Sequence, residues 1–360
     1  MKKFFNIYSA MTACSVLGII GVFLINTMNS LRTVKQENVA MDTVMSITAS
    51  AAKSSAELEK TVDEAFSLIR GLEGKFSMRD PNSEVSAINA AAGNARVKVS
   101  PETFSVLSMA LQVANLSDGA FDPTIGAVTL CWQKKLLGGE TPSEEDIREA
   151  VSKTGFGALK LHAPDAAYLE AGSLDLGGIA KGFASAKVRD LLRARGVTSA
   201  LIDLGGNVVV MGGRPEAGNR ERQPWRIGIQ HPALPRGTPI CTVELYEGSV
   251  ITAGDYERYW DVGGRRYTHI FNPVNGRPVE GPLKSVTVVS NDPTQGDALT
   301  TAFMVMGEDP AVELLRIFPG CEAIFVYDDG ERGCRVTATS GLRDTLRPSG
   351  GVEISFSEIR

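Results

Sequence analysis

The chain has 360 residues, a formal net charge of −5 and 43% hydrophobic residues. This length allows roughly two domains of ordinary size or one large domain, and the composition is that of a globular protein. It excludes a disordered chain, a collagen and a coiled coil. The acidic balance, without a long run of Lys or Arg, also argues against a nucleic-acid-binding protein.

The first 31 residues have the pattern of a membrane-targeting segment. Lys2 and Lys3 precede an uncharged run whose apolar part spans residues 4–28. That part is longer than the ~7–15 residues of a signal-peptide core and reaches the ~20 residues of a membrane span. We predict an uncleaved signal anchor at 1–31, with a lipoprotein cleaved before Cys14 as the alternative. Both predictions place the rest of the chain outside the cytoplasm, tethered to a membrane.

The remaining sequence predicts both helices and strands. Residues 32–40 are predicted to be a polar linker, and the alternation of residues 41–49 predicts an edge strand. Helices are predicted at 56–72, 101–116, 143–151, 179–195 and 294–306. Strands are predicted at 198–211, 225–230, 240–246, 284–290, 323–327 and 333–338, and residues 214–224 are predicted to form a surface loop. This order favours an α+β domain, with mixed or antiparallel sheets flanked by helices.

Cysteine and histidine residues show no metal-binding spacing. The five cysteines include no CxxC pair, and none of them neighbours a histidine. A thiolate zinc site is therefore not expected. We also predict no disulfide, because Cys321 and Cys334 flank a predicted hairpin turn at different offsets.

A glycine-rich turn at Leu174–Gly182 precedes the fourth predicted helix. Two glycines allow a tight turn, and Lys181 follows in the first helical turn. Free N–H groups at a helix N-terminus attract anions, and an ammonium adds positive charge. The spacing is neither that of a Walker loop nor G-x-G-x-x-G. The segment is therefore consistent with two interpretations, a phosphate-binding site and a solvent-exposed turn.

Asp297 and Thr301 are four residues apart in a predicted helix, so they share one face. A carboxylate and a hydroxyl are hard oxygen ligands that suit Mg²⁺ better than zinc. The alternative is helix capping, with Thr294 as N-cap and Asp297 in the first turn.

Two further segments contain candidate functional side chains. His269 lies where a predicted strand runs into two turns, and its imidazole is suited to carry a proton near neutral pH. Phe121 lies in a turn after a helix, where its ring is able to stack on a planar ligand. A structural histidine and a core phenylalanine are the alternatives.

Taken together and in this order, these segments resemble the FAD:protein FMN transferases, the ApbE-like family once called thiamine-biosynthesis lipoproteins. The resemblance implies a two-lobed domain over residues 41–345 with an FAD cleft between the lobes, followed by a C-terminal tail at 346–360. It is carried by Ser83–Asn89, Gly119–Thr124, Leu174–Gly182, Gly205–Asn207, Ala253–Tyr259, His269–Gly276 and Asp297–Ala302.

The resemblance implies a reaction and assigns roles to residues. FAD binds with Mg²⁺ on its diphosphate, a threonine hydroxyl of a partner protein attacks the flavin-side phosphorus, and AMP leaves. The implied Mg²⁺ ligands are Asp297, Thr300, Thr301 and the carbonyl of Gly178. The implied FAD contacts are Met41, Ala120, Phe121, Asp122, Asp175, Lys181 and Ile270, with Met78 or Arg79 in place of a flavin-side aromatic residue. His269 is the candidate base, and Asp297 is the alternative.

The resemblance also implies a partner and a location. The acceptor is expected to be an exported or membrane redox subunit with a motif resembling Asp-x-x-Thr-x-Ala-Thr. The catalytic domain is expected to face the periplasm from the bacterial inner membrane. Two alternatives remain open: an FAD diphosphatase that yields FMN and AMP, and a flavin-binding protein without turnover.

Overall fold

A computed structural model describes residues 31–216, 221–330 and 333–359. The predicted anchor, apart from its last residue, and Cys14 lie outside these ranges, as do residues 217–220 of the predicted loop. None of the helices in the described ranges has the length and apolarity that a membrane crossing requires. The described cysteines, Cys131, Cys241, Cys321 and Cys334, are free thiols.

Nine of the described strands form one sheet in the order β1-β2-β6-β7-β10-β13-β14-β15-β17. Neighbouring strands are antiparallel, except that β15 and β17 are parallel. The sheet is therefore mixed. Its strands are β1 (Arg32–Ala40), β2 (Thr43–Ala51), β6 (Ser199–Asp203), β7 (Asn207–Met211), β10 (Gly248–Gly254), β13 (Leu283–Ser290), β14 (Glu322–Asp328), β15 (Cys334–Thr339) and β17 (Ile354–Ser357).

Smaller sheets and helices complete the described fold. The smaller sheets comprise β3 (Val97–Lys98), β4 (Leu159–His162), β5 (Ala166–Leu169), β8 (Trp225–Gln230), β9 (Pro239–Leu245), β11 (Tyr259–Val262), β12 (Arg265–Thr268) and β16 (Leu346–Pro348). The α-helices are α1 (Ser55–Phe76), α2 (Glu84–Ala90), α3 (Pro101–Leu116), α4 (Gly126–Leu137), α5 (Glu144–Ser152), α6 (Ala180–Ala194), α7 (Pro293–Met306) and α8 (Glu308–Leu315).

Apolar side chains hold these layers together. Helices α1, α6 and α7 contact the large sheet, and their buried residues share one core with strand residues such as Ile47 and Val286. A second cluster joins Val250 to Trp225 of the three-stranded sheet β16-β9-β8. A third, smaller cluster contains Trp132 and Phe271. Burial of this apolar surface is the main stabilising contribution to such a fold.

The α+β class and most predicted elements are confirmed. Ser100 caps α3 with Pro101 at its first position, and Ser143 and Asp146 form a capping box at α5. The predicted strand 198–211 is instead two strands, because the chain turns at Gly205 and Gly206, which have positive φ. A left-handed backbone of this kind favours glycine.

Three predictions about the chain ends and caps are wrong. The predicted linker 32–40 is strand β1, paired along its whole length with β2, so residues 41–49 are not at the edge. The predicted tail 346–360 contains β16 and β17, which pair with β9 and β15. The N-cap of α7 is Asp292 rather than Thr294. An edge strand with one solvent-facing side tolerates polar residues, which is why β1 resembled a linker.

The antiparallel order brings four connections to the same end of the large sheet. They are the Met41–Asp42 turn between β1 and β2, the turn at 204–206, the long segment 255–282 between β10 and β13, and the turn after β14. Turns at one end of a rigid sheet are a common location for binding and catalytic residues.

Candidate active site

Asp297 lies in α7 and connects this helix to the start of α6 through a hydrogen bond. Its carboxylate is buried, and Oδ2 accepts a 2.8 Å hydrogen bond from the N–H of Gly182. A Cβ atom at Gly182 would lie 2.6 Å from the Cβ of Asp297, so only glycine permits this approach. Asp297 lies beyond the first turn of α7, because the helix is capped by Asp292. The capping role considered for Asp297 is therefore wrong.

The oxygens proposed for a metal lie around this contact. Thr301 follows Asp297 by one turn, and a Cβ at Gly178 would lie 2.9 Å from its Oγ1. Thr300 is buried, and its hydroxyl donates to the Asp297 carbonyl at 2.7 Å. Within the described residues, no group of three His, Cys, Asp or Glu side chains is placed to hold a metal. A carboxylate with hydroxyl and main-chain oxygens nevertheless fits Mg²⁺.

The Ala120–Asp122 turn packs beside Gly178. Phe121 is a core side chain, 3% exposed, and its Cε2 would lie 3.2 Å from a Cβ at Gly178. Asp122 is buried and accepts hydrogen bonds from the N–H and hydroxyl of Thr124 and from the N–H of Phe156. Burial raises the pKa of Asp122, and these hydrogen bonds oppose that rise. Both side chains therefore hold the turn in place, and the ring of Phe121 occupies the core.

The glycine-rich turn is ordered by Asp175, whose Oδ1 accepts a 2.8 Å hydrogen bond from the N–H of Gly177. Lys181 is in the first turn of α6, and its Nζ lies 3.5 Å from the Gly177 carbonyl oxygen. The ammonium thus adds its charge to the positive end of the α6 dipole, although the N–H groups of Ala180, Gly182 and Phe183 already have acceptors within the protein. This combination suits an anionic group such as a phosphate.

His269 is a partly buried imidazole with a defined orientation. Its Nδ1 lies 2.9 Å from the Arg258 carbonyl oxygen. A carbonyl only accepts, so we assign the proton to Nδ1 and the lone pair to Nε2. Burial lowers the pKa of His269 to about 4; the hydrogen bond opposes this effect, and the charges of Lys181 and Arg258 add to it. The ring is therefore neutral at pH 7, with Nε2 able to accept a proton.

The Met41–Asp42 turn lies beside His269 because Arg258 contacts both. Met41 and Asp42 have φ values of 48° and 59°, a left-handed conformation unusual for these residues. Arg79 bonds the Asp42 carboxylate at 3.2 Å. Hydrogen bonds through Arg258 and Asp42 thereby link Met41 and Arg79 to His269.

Met78 and Ile270 belong to the packing around the site. Ile270 is 5% exposed and lies in the main core, against which Met78 also packs. A separate cleft of about 420 Å³ is lined by residues such as Asp255, Arg266 and Lys284, and none of the predicted site residues is among its described lining residues.

Sequence reasoning gave no role to Arg258 or to Glu73, whose Oε1 accepts from the N–H of Met41 at 2.7 Å. Arg258 was within a segment that carries the family resemblance, but its contact with Met41 joins residues 217 positions apart. Local spacing contains no signal for such a contact.

The model of the ApbE family matches residues 41–325, and the chain belongs to this family. The resemblance inferred from the sequence is thereby confirmed.

Relatives and solved structures agree with this membership. The chain is 34% identical over 328 residues to an FAD:protein FMN transferase of Treponema pallidum, covering 88% of this chain and 90% of the relative. It is 34% identical to one of Klebsiella pneumoniae, covering 74% and 82%. The crystal structure of an ApbE protein from Thermotoga maritima has a TM-score of 0.75 at 31% identity, covering 87% and 99%. The flavin transferase ApbE of Vibrio cholerae also has a TM-score of 0.75, at 25% identity, covering 88% and 100%.

Proposed function

We propose that this chain transfers FMN from FAD to a threonine hydroxyl of an acceptor protein and releases AMP. The convergence of Asp297, Thr301 and Gly178 beside Lys181 is the observation that carries the proposal, in a chain whose curated relatives are named FAD:protein FMN transferases. FAD and a protein acceptor are thus the two substrates.

Magnesium is part of this proposal. Because Oδ2 of Asp297 is held by Gly182, we assign Oδ1 to the metal, together with the Thr301 hydroxyl, the Gly178 carbonyl and Thr300. When bound, the ion supplies positive charge that offsets the negative charge on the diphosphate and the leaving AMP. The Lys181 ammonium and the positive end of the α6 dipole act on the same charge.

His269 is the proposed base. The threonine oxygen attacks the flavin-side phosphorus, its proton passes to Nε2 of His269, and the bond from phosphorus to the bridging oxygen breaks as AMP leaves. A histidine with a pKa of about 4 is a weak base. A weak base suffices here, because the threonine hydroxyl becomes far more acidic as its oxygen bonds to phosphorus. Asp297 is less suited, since its carboxylate is already bonded to Gly182.

The location is also a proposal. The charge and apolar pattern of residues 1–31 supports attachment to the bacterial inner membrane, by an uncleaved anchor or by lipid on Cys14, with the catalytic domain in the periplasm. A redox subunit exported to the same compartment is the proposed acceptor, and FAD is proposed to bind in a cleft between two lobes.

The test is mass spectrometry of a purified acceptor domain that contains Asp-x-x-Thr-x-Ala-Thr, after incubation with this protein, FAD and Mg²⁺. We expect the mass of one FMN to be added to a threonine, and the addition to be lost with EDTA. Free FMN and AMP without addition would instead identify an FAD diphosphatase. Intact FAD would identify a binding protein and overturn the proposal.

A further inference from the structure

The turn at Met41 and Asp42 is held from several directions. Both residues are left-handed, and neither is glycine. Such a conformation persists where the surrounding structure fixes it, and it is concentrated at functional sites. Here Glu73 accepts from the N–H of Met41, Arg79 bonds the Asp42 carboxylate, and Arg258 bonds both main-chain carbonyls.

Arg258 differs from the other two because it also contacts His269. Its Nη2 donates to the carbonyl oxygens of Met41 and Asp42, each at 3.2 Å. Its own carbonyl oxygen accepts from the N–H of His269 at 3.2 Å and from Nδ1 of the same residue at 2.9 Å. One residue therefore binds the turn through its side chain and the imidazole through its main chain.

We propose that Arg258 is a positioning residue for flavin transfer, which holds Nε2 of His269 at a fixed distance from the Met41–Asp42 turn. The inference rests on the proposed function, in which His269 accepts the threonine proton. The guanidinium donates to main-chain carbonyl oxygens rather than to the imidazole, so it acts through the residues that it holds. Misplacement of a catalytic group by about 1 Å is able to cost roughly a hundredfold in rate.

The side chain is tested with two substitutions. Arg258→Met keeps an unbranched apolar stem but donates no hydrogen bond, whereas Arg258→Lys keeps N–H donors on a compact ammonium. We expect Arg258→Met to lower kcat/KM for transfer to the acceptor domain about 10- to 100-fold, and Arg258→Lys to restore part of the loss. Circular dichroism and the melting temperature of both variants establish that they are folded.

Arg347 provides the matched control. Its guanidinium donates to the carbonyl oxygens of Leu346 and Asp344, at 3.2 and 2.6 Å, near β16 and without contact to any predicted site residue. We expect Arg347→Met to leave kcat/KM within about twofold, because surface changes away from a site are usually small. An equal loss in Arg347→Met and Arg258→Met would contradict a specific role for Arg258.

A double-mutant cycle tests whether Arg258 acts through His269. In the His269→Ala background, Arg258→Met is expected to cost less than about threefold, since residues that act as a unit are not additive. If the full 10- to 100-fold loss persists there, the inference is overturned. Failure of the proposed function is a different result: the unmodified protein would then transfer no FMN to the acceptor.

Discussion

Substitution of Gly182 by alanine tests the contact on which the proposed metal site depends. Gly182 is in the first turn of α6, and alanine within a helix gains at most about 1 kcal/mol of helix stability over glycine. A Cβ at this position, however, would lie 2.6 Å from the Cβ of Asp297 and would also collide with the Pro293 carbonyl oxygen. Relief of the first collision alone requires α6 and α7 to separate by nearly 1 Å.

The gain in helix stability and the cost of the collision have opposite signs, so their magnitudes decide the net change in stability. Overpacking of a buried contact costs about 1–3 kcal/mol. Separation also lengthens the 2.8 Å hydrogen bond from Gly182 to the Asp297 carboxylate, and a hydrogen bond to a charged group contributes about 1.5–3 kcal/mol. Against the helix gain of about 1 kcal/mol, we expect Gly182→Ala to lower the free energy of unfolding by about 2–4 kcal/mol.

Urea unfolding and acceptor labelling measure the two consequences. Gly74 is the matched control, because it lies in α1 with no atom within 4 Å of an added Cβ. Gly74→Ala is expected to raise the free energy of unfolding by up to about 1 kcal/mol and to keep its activity. Gly182→Ala is expected to lose both stability and transfer. A Gly182→Ala protein as stable and active as the unmodified chain would refute the close approach of α6 and α7.

Three further predictions concern the site. Asp297→Asn keeps an oxygen for Gly182 but loses a charge, so EDTA-sensitive transfer should fall at least about a hundredfold, measured by mass spectrometry of the acceptor. The pKa of His269 is about 4 in the folded protein and 6.5 in the unfolded chain. Between these two pH values the unfolded chain therefore binds more protons. The free energy of unfolding should therefore fall from pH 6.5 to 4, and less so in His269→Gln; equal slopes in both proteins would contradict a buried neutral ring. Asp122→Ala leaves three donors without their acceptor and should cost about 2–4 kcal/mol in urea unfolding; an unchanged midpoint would show that these donors find other partners.

The sequence predicted correctly those elements that are stabilised by interactions between neighbouring residues. The caps at Ser100 and Ser143 are side chains that accept from N–H groups three residues away, so the sequence alone reveals them. Strand β1 is different, because its polar residues face solvent and its stability comes from pairing with β2. The segment 346–360 was misjudged for the same reason: its short strands exist through pairing with β9 and β15.

The same difference between local and long-range interactions applies to the candidate site. The face shared by Asp297 and Thr301 follows from helical periodicity, but the partner of Asp297 is Gly182, which is 115 residues away. A capping role was therefore as consistent with the local pattern as a metal ligand. The position of Phe121 in the core and the contact of Arg258 with Met41 likewise depend on packing between distant segments.

Strand β1 also sets the distance between Arg32 and the Met41–Asp42 turn. A nine-residue strand is about 30 Å long, and β1 runs from Arg32 to the residue before the Met41–Asp42 turn. Nine flexible residues would allow the distance between their two ends to vary. A strand that is paired with β2 along its full length keeps that distance fixed. Under the membrane attachment proposed for residues 1–31, we expect transfer to depend on the height at which an acceptor presents its threonine.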